Sequence, residues 1–349
     1  MKNTLIPLAF SLSLSLPVFS QAADSAPAAT LPEFVKTNRF DGVIKAKFET
    51  SAETGVMRFN VRNSRVGARG DLNPYISYRV QVELSNEGAF APLDLFGTIK
   101  PFQNFSVLVG QQNIPFDNSY IITPAEMMFA NRAFAGKFFT PGSRDIGAVA
   151  QYRFNIGGFP MEGQAGVFNG GRINEPRWTD NPSYALRLIA GRMNGFRATA
   201  KIYKYNNEQR ESNFALTQRT DLFFWGADVH YDNSRFCVQA EVTQRRANDT
   251  GLDLFGTYVQ GSYTIDLPNS NMFSNWAPAA RWDAMGYDGF DVHRITAGIN
   301  FRLSNIPNSV LRMDYEHYFA KNASDFPDFA SRDLHVAHNK VTVELVVRF

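Results

Sequence analysis

The feature that most constrains this chain is an alternation of apolar and polar side chains with a period of two residues. It is clearest over residues 340–349, KVTVELVVRF, where apolar residues occupy the odd positions and mostly polar residues the even ones. Such a segment is an amphipathic β-strand, and a length of about ten residues suits a tilted crossing of a membrane. The same alternation recurs along the chain and predicts about sixteen strands, at roughly 41–49, 57–70, 75–85, 93–100, 104–112, 144–155, 160–169, 183–192, 196–205, 220–232, 236–246, 254–266, 277–286, 291–303, 309–319 and 338–349.

The predicted connections alternate in length and composition. Short turns, built from residues that favour tight turns, are expected at 73–74, 101–103, 157–158, 194–195, 232–234 and 306–308. Most of the intervening connections are longer and polar, at about 113–143, 170–182, 206–219 and 320–337. Short turns on one side and long loops on the other are typical of outer-membrane barrels. The sequence therefore predicts an all-β fold, a transmembrane antiparallel β-barrel over residues 41–349.

The first residues are typical of an export signal. Lys2 supplies a positive charge, residues 5–19 are mostly apolar, and small residues around Ala22 suit signal cleavage. The apolar run is too short for a membrane-spanning helix, which needs about 20 residues. We therefore expect a signal peptide at 1–22, a periplasmic N-terminal leader at 23–40, and export to the bacterial outer membrane.

A barrel of about sixteen strands is too wide for side chains to fill and encloses an aqueous channel. The alternation places fifteen basic and ten acidic residues on the inward face, and charges that line a pore favour counter-ions. The phase changes after Arg62, which a β-bulge or the end of the strand would explain. We predict a preference for small anionic solutes, with the candidate pore-lining residues Lys45, Lys47, Arg58, Arg62, Arg65, Arg79, Arg302 and Arg312.

The third long connection, residues 113–143, is unusually apolar for a solvated loop and includes Phe129 and Phe134. A segment folded into the barrel mouth would bury these side chains and narrow the channel. Thr at an N-cap, followed by Pro and an early Glu, predicts a helix that begins at Thr123. The candidate constriction residues are Glu126, Arg132 and Lys137. The alternatives are a lid or a packing surface for a neighbouring subunit.

Other function classes find little support in the sequence. The net charge of +2 indicates no nucleic-acid partner, and the single cysteine, Cys237, excludes an intrachain disulfide. No cofactor is predicted, because phosphate-binding, dinucleotide and H-E-x-x-H motifs are absent from the sequence. His335 and His338 form only a weak metal-binding pattern. An outer-membrane enzyme and a non-transporting anchor or receptor are the alternatives to a channel.

Several short motifs resemble the phosphate-selective porin O/P family. They are spread in order over the chain, at residues 59–67 (FNVRNSRVG), 110–116 (GQQNIPF), 144–147 (RDIG), 166–170 (GVFNG), 295–301 (ITAGINF) and 311–315 (LRMDY). The resemblance implies a sixteen-stranded homotrimeric barrel with an inward-folded third extracellular loop and an arginine-lined path for anions such as phosphate. In the family the basic motif typically places arginines side by side, whereas Asn63 and Ser64 separate Arg62 from Arg65 here. A general, non-selective porin is therefore the alternative.

The terminal residue, Phe349, continues the outward apolar set of the last strand. A free C-terminal aromatic residue on such a strand resembles the signal that the barrel-assembly machinery recognises. The remaining expected partners are outer-membrane lipid and lipopolysaccharide, which would contact the apolar outer face of the barrel.

Overall fold

The computed structural model describes residues 37–349 except 117, 119–121, 124–125, 135, 137–138, 193, 249–250, 252, 288–291, 307 and 321–338. The predicted signal peptide and most of the predicted leader lie outside the described residues. So do Lys137, His335 and His338. No helix of the described part of the chain is long and apolar enough to cross a membrane.

The described residues form eighteen β-strands in a single sheet. Their bounds are β1 (Arg39–Ser51), β2 (Met57–Val61), β3 (Ser64–Asn73), β4 (Ile76–Asn86), β5 (Ala89–Phe102), β6 (Phe105–Asn113), β7 (Arg144–Ile156), β8 (Phe159–Phe168), β9 (Ser183–Gly191), β10 (Gly195–Arg210), β11 (Leu216–Asp232), β12 (Phe236–Ala247), β13 (Asp253–Tyr263), β14 (Ile265–Asp266), β15 (Phe273–Tyr287), β16 (Val292–Leu303), β17 (Val310–Ala320) and β18 (Lys340–Arg348).

The eighteen strands make sixteen crossings, because β2 and β3 are successive parts of one crossing and β13 and β14 are parts of another. Consecutive crossings pair antiparallel, and β1 pairs with β18 from Val43↔Arg348 to Ser51↔Lys340. This last pairing closes the sheet into a barrel, so every crossing has a paired neighbour on each side. The predicted closed antiparallel barrel of sixteen crossings is confirmed.

The interruption between β2 and β3 is a β-bulge. Strand β1 pairs Ala46 with Val61 and then Val43 with Arg65, so the second crossing contains one extra residue. Asn63 lies at the break in the left-handed region (φ 54°), a conformation that asparagine tolerates. The bulge explains the change of phase seen in the sequence.

One predicted loop is much shorter than expected. Residues 206–219 were expected to form a long connection, but β10 and β11 stay paired as far as Arg210↔Leu216. The residues here are largely polar, so the alternation that marks a half-buried strand disappears while backbone pairing continues. The prediction was wrong because hydrophobic periodicity marks the membrane-embedded part of a strand and misses its solvated extension.

The two faces of the barrel differ in chemistry. Outward side chains are apolar and largely exposed in the isolated chain, as at Leu186, Val229 and Leu345. Their inward neighbours are charged and buried, as at Arg187, Asp228 and Glu344. An apolar outer surface around a polar interior is the arrangement of a transmembrane barrel.

Candidate channel through the barrel

An irregular segment of the third long connection, residues 128–134, lies against the inner wall of the barrel. The Ala130 amide donates to Asp314 Oδ2 at 2.7 Å, and the Phe134 amide donates to Asp283 Oδ2 at 2.8 Å. These carboxylates accept backbone N–H groups that would otherwise be buried without a partner. The segment is therefore bound to the inward faces of β15 and β17.

Basic side chains complete the attachment by donating to carbonyl groups of the same segment. Lys47 Nζ on β1 lies 3.0 Å from the Ala130 carbonyl oxygen. Arg281 and Arg294 donate to the carbonyls of residues 131 and 132 at 2.9 and 2.7 Å. Acids thus bind its N–H groups and bases its carbonyls, so that both kinds of backbone group are satisfied.

Two aromatic rings of the segment pack beneath arginines of the wall. Phe129 and Phe134 are 1% and 2% exposed, and the guanidinium carbons of Arg281 and Arg294 lie 4.7 and 4.4 Å from their ring centroids. A cation over a ring face is attracted by the ring quadrupole. Phe134 and Phe139 also join an apolar cluster that includes Leu254.

The start of the same connection contacts a different part of the wall. Asn118 donates to Asp228 at 3.0 Å and accepts from Arg187 and Arg197 at 2.9 and 3.2 Å. Phe116 packs against Tyr203 and Phe224 in a second apolar cluster. The described residues of the connection therefore contact β9–β11 at one end and β15–β1 at the other.

The wall formed by β15–β18 and β1, which we call the packed wall, carries paired charges. Glu344 lies 3.0 Å from Lys45, 3.7 Å from Lys47 and 2.7 Å from Arg312. Arg294 lies 2.7 Å from Asp283, and neither side chain is more than 4% exposed. This part of the lumen is a buried network of bases and acids.

Three of the predicted pore-lining residues belong to this network. Lys45, Lys47 and Arg312 face inward as predicted, but they are only 1%, 3% and 2% exposed. The barrel encloses cavities of about 860 and 290 Å³, and Lys45 and Arg312 line neither of them. Lys47 lines the smaller one while it is bound to Ala130. The pore-lining prediction is therefore corrected at Lys45 and Arg312, which are buried and paired with Glu344.

Strands β3–β9 form the opposite side of the lumen, which we call the open wall. One cavity lies along it, and a second lies between it and the packed wall. The cavity on the long-loop side has a volume of about 290 Å³. Its lining contains eight basic side chains and two acidic ones, namely Lys47, Arg58, Arg62, Arg65, Arg132, Arg144, Arg294 and Lys340 with Glu49 and Glu83. Basic groups therefore outnumber acidic groups on the surface that a solute would meet.

The cavity on the short-turn side is larger, about 860 Å³. Its lining contains five basic and two acidic side chains, Arg39, Arg69, Arg79, Arg187 and Arg197 with Asp71 and Asp94. Asp94 of this cavity binds Arg144 of the other cavity at 2.6 Å, so the two cavities meet at this ion pair.

Three arginines of the larger cavity stand side by side on neighbouring strands. Arg39 on β1 is opposite Arg69 on β3, and Arg69 is opposite Arg79 on β4. Arg79 binds Asp41 at 2.8 Å, whereas Arg39 and Arg69 are exposed and make no ion pair within the described residues. Like charges in directly opposed positions destabilise a sheet, so this row lowers the stability of the barrel.

The bulge at Asn63 brings Arg62 and Arg65 to the same side. Both line the smaller cavity, although they differ by three positions in sequence. Arg65 binds Glu83 at 3.1 Å, while Arg62 lies 3.9 Å from Glu87 and keeps 28% of its side chain exposed. Arg58, at the rim, binds Glu49 at 2.8 Å.

The remaining predicted residues are Arg302, Glu126 and Arg132, and only Arg132 lines either of the two cavities. Arg302 is exposed near the short turns, 3.4 Å from Asn308, and lines neither cavity. Glu126 is exposed and lies 3.5 Å from Arg348. Arg132 lines the smaller cavity.

The helix predicted from Thr123 is not found in the described residues 126–133, which form turns and bends. Their backbone groups bind the charged wall at Ala130 and neighbouring positions. These external partners replace the intrahelical hydrogen bonds that the capping pattern predicted, so the prediction was wrong at these residues.

Sequence reasoning missed Arg39 and Arg144 as lining residues. Arg39 was placed in the leader, although its odd number continues the inward set of β1 and could have identified it. Arg144 has the parity of the outward set of β7, but at the first position of the strand its side chain turns inward to Asp94. A strand end is free of the strict alternation, so no periodic signal could have found it.

The Gram-negative porin family model matches residues 15–317, and no curated protein matches the chain. The fold is similar to that of Salmonella typhi OmpF in complex with daunomycin, at 13% identity, with 89% of this chain and 97% of that chain covered and a TM-score of 0.60.

Two further solved structures share the fold. The anion-selective porin from Comamonas acidovorans is 13% identical, with 89% of this chain and 98% of that chain covered and a TM-score of 0.55. The trimer form of OmpT, an outer membrane protein of Vibrio cholerae, is 11% identical, with 90% and 99% covered and a TM-score of 0.58. Since the family model spans most of the sequence and the strands close into the same barrel, this chain belongs to the Gram-negative porins of the bacterial outer membrane.

Proposed function

We propose that this porin is a water-filled channel that prefers small anions, among them phosphate. The observation that carries the proposal is the row of Arg39, Arg69 and Arg79, for which the register gives directly opposed positions in the larger cavity. Their only ion pair in the described residues is with Asp41. Exposed fixed cations attract counter-anions and repel cations from the same water-filled space.

The charges of the smaller cavity support the same direction. Asp283 and Glu316, which bind Arg294, lie in the wall behind it and are absent from the cavity lining. A solute in this cavity would meet the guanidinium group of Arg294 but not its two carboxylate partners. The inserted segment 128–134 would narrow the path and direct solutes along the open wall.

Reversal potential in a salt gradient across a planar bilayer tests the proposal, with potassium chloride first and potassium phosphate second. We expect the reversal potential to follow the anion equilibrium potential and the preference to weaken at high ionic strength, because mobile ions screen the arginines. A reversal potential shifted toward the cation equilibrium potential would overturn the anion preference. If the folded protein gave no stepwise conductance, the proposal of a channel would be overturned.

The double variant Arg39→Gln/Arg69→Gln assigns the effect to the proposed row. We expect it to lower the anion-to-cation permeability ratio, whereas Lys204→Gln should not, because Lys204 lies on the outward set of β10 and is exposed outside the lumen. Both variants remove cationic side chains and leave the backbone unchanged. Equal ratios in the double variant and the parent would move the selectivity region elsewhere.

We also propose a homotrimer, supported by the trimer form of the structurally similar OmpT. Light scattering of the detergent-solubilised barrel measures the assembly mass, and a monomer mass would contradict the proposal. The outer lipid contacts and recognition of Phe349 by the barrel-assembly machinery are part of the same proposal. Phe349 is 67% exposed, and its backbone pairs with Gly42 through N–H and C=O hydrogen bonds of 3.1 and 2.8 Å.

We propose that this porin has no enzymatic activity. The described lumen contains ion pairs whose members bind one another or the inserted segment, as Asp283 binds Arg294 and Phe134. Purified protein with full conductance should release no fatty acid from phospholipid vesicles. Hydrolysis that copurifies with the folded barrel would contradict this part of the proposal.

A further inference from the structure

A histidine, an aspartate and a cysteine meet at the periplasmic hairpin between β11 and β12. Asp232 and Cys237 are the cross-strand pair next to the turn, and His230 precedes Asp232 by two positions on the same strand. Side chains two apart on a strand share a face, and this is the inward face, because His230 and Asp228 are buried within the barrel. The three side chains therefore share one corner of the periplasmic mouth.

Their donor atoms are close enough to share one ion. A ring nitrogen of His230, a carboxylate oxygen of Asp232 and the sulfur of Cys237 all lie within 4.8 Å of one another. Ligand atoms bound tetrahedrally to zinc at about 2.0–2.3 Å are about 3.3–3.8 Å apart, so binding would draw these side chains together by about 1 Å. The cluster is therefore close to, but wider than, a closed three-ligand site.

The hairpin holds these ligands in place. One Asp232 oxygen, Oδ1, accepts the Ser234 amide at 2.7 Å, which orients the carboxylate. Within the turn, Asn233 Oδ1 accepts the Phe236 amide at 2.7 Å. The β11–β12 ladder runs without a register shift from Leu222↔Ala247 to Asp232↔Cys237. A rigid ladder and a bonded turn reduce the ordering that metal binding would require.

The donor set indicates which metals fit. Thiolate and imidazole favour borderline or soft ions such as Zn²⁺ and Cd²⁺ over Mg²⁺ and Ca²⁺, which prefer oxygen ligands. Three protein ligands would leave the fourth position of a tetrahedral ion to water.

Charge at this corner also suits a divalent cation. One carboxylate and one thiolate would neutralise it once the thiol proton is released to solvent. Arg197, directly across from His230 on β10, binds Asp228 at 2.9 Å and Asn118 at 3.2 Å. The nearest opposed guanidinium is thus partly compensated by a carboxylate. We propose that His230, Asp232 and Cys237 form a binding site for Zn²⁺ or a similar soft divalent ion at the periplasmic mouth.

Cadmium titration of the folded barrel in detergent tests the site, because Cd²⁺ bound to a thiolate absorbs in the ultraviolet. We expect one Cd²⁺ per chain, displacement by Zn²⁺, and loss of the absorption band in Cys237→Ser. Outer-shell changes already weaken metal binding by about 10–100-fold, so His230→Ala should weaken it at least as much. His317→Ala is the matched control, because His317 lies beside Phe319, away from the cluster.

A second measurement separates a built site from a lone reactive thiol. Zn²⁺ should slow the reaction of Cys237 with a maleimide in the parent protein, and His230→Ala and Asp232→Asn should reduce this protection. Each variant should have the same conductance as the parent protein before reaction with the maleimide, which shows that its barrel is folded. Absence of one-to-one binding, or Cd²⁺ affinity and protection that are unchanged in both variants, would overturn the proposal.

Discussion

The packed wall and the open wall of this barrel carry the same types of charged residue in different environments. On the packed wall, Arg294 and Glu344 are buried with their partners, and Arg294 also binds the inserted segment. In the larger cavity, Arg39 at the start of β1 and Arg69 on the open wall are exposed, and the cavity has a volume of about 860 Å³. Position on the inward face therefore does not by itself expose a cation to the lumen. Its exposure also depends on whether a carboxylate or the inserted segment covers it.

The difference is also energetic. A buried charge that loses its partner retains the desolvation cost without the compensating attraction. An exposed charge in water is solvated, and its removal has little effect on folding. The two walls should therefore respond in opposite ways, the packed wall through stability and the open wall through ion selectivity. The following changes test this contrast, beginning with the largest expected effect.

Glu344→Gln should produce the largest loss of stability, because it leaves Lys45, Lys47 and Arg312 buried without their shared carboxylate. We expect the free energy of unfolding to fall by about 3–5 kcal/mol, the cost of breaking a buried ion pair. Urea unfolding in lipid vesicles, followed by tryptophan fluorescence, measures the change. Glu87→Gln removes an exposed acid and should change the free energy by no more than about 1 kcal/mol. Similar values for the two variants would remove the energetic distinction between the walls.

Phe134→Ala should weaken the attachment of the inserted segment to the packed wall. The ring packs under Arg294 and beside Tyr318, and its removal from a packed site costs about 3–5 kcal/mol. Part of this cost falls on the docking of the segment, so we expect higher and noisier single-channel conductance. Phe214→Ala, at an exposed ring, is the control and should leave the conductance unchanged. An unaltered current in Phe134→Ala would show that the segment is held mainly by its backbone hydrogen bonds.

Asn63→Val tests the bulge that brings both Arg62 and Arg65 into the smaller cavity. A β-branched residue in the left-handed conformation is strained, and we expect a loss of about 1–2 kcal/mol in the free energy of unfolding. Asn63→Gly relieves the backbone but, like the valine variant, loses the 3.1 Å hydrogen bond to Glu83, which is worth about 0.5–1.5 kcal/mol. Comparison of the two variants by urea unfolding separates strain from hydrogen bonding. A valine variant as stable as the glycine variant would show that the bulge can relax.

Arg69→Gln should have the smallest effect on stability, and with the opposite sign. Its removal relieves repulsion from Arg39 and Arg79, so we expect the free energy of unfolding to rise by about 0.2–1 kcal/mol. The anion-to-cation permeability ratio should nevertheless fall in reversal-potential measurements. A large destabilisation instead would place Arg69 among the structural charges.

The number of crossings, their order and the inward and outward sets follow from the sequence, because the strand period is two and the membrane imposes opposite chemistry on the two faces. Lys45, Arg79 and Arg312 were assigned inward on this basis, and the structure places them there. The extracellular ends of β10 and β11 were not predicted, because both faces of a strand are wet beyond the membrane. The path of residues 128–134 could likewise not be predicted from hydrophobic periodicity, because the segment is irregular.

Which acidic and basic residues form ion pairs is decided by the tertiary structure alone. Glu344 and Arg312 are far apart in sequence from Lys45, yet barrel closure between β1 and β18 places all three at one point. The pairing of β1 with β3 makes Arg39 a neighbour of Arg69, with no carboxylate between them. By itself the sequence determined a closed barrel with a charged interior, since alternation is a local property of the chain. Which of those charges face water was decided only by the register across strands and by the segment that covers one wall, because both depend on contacts between residues distant in sequence.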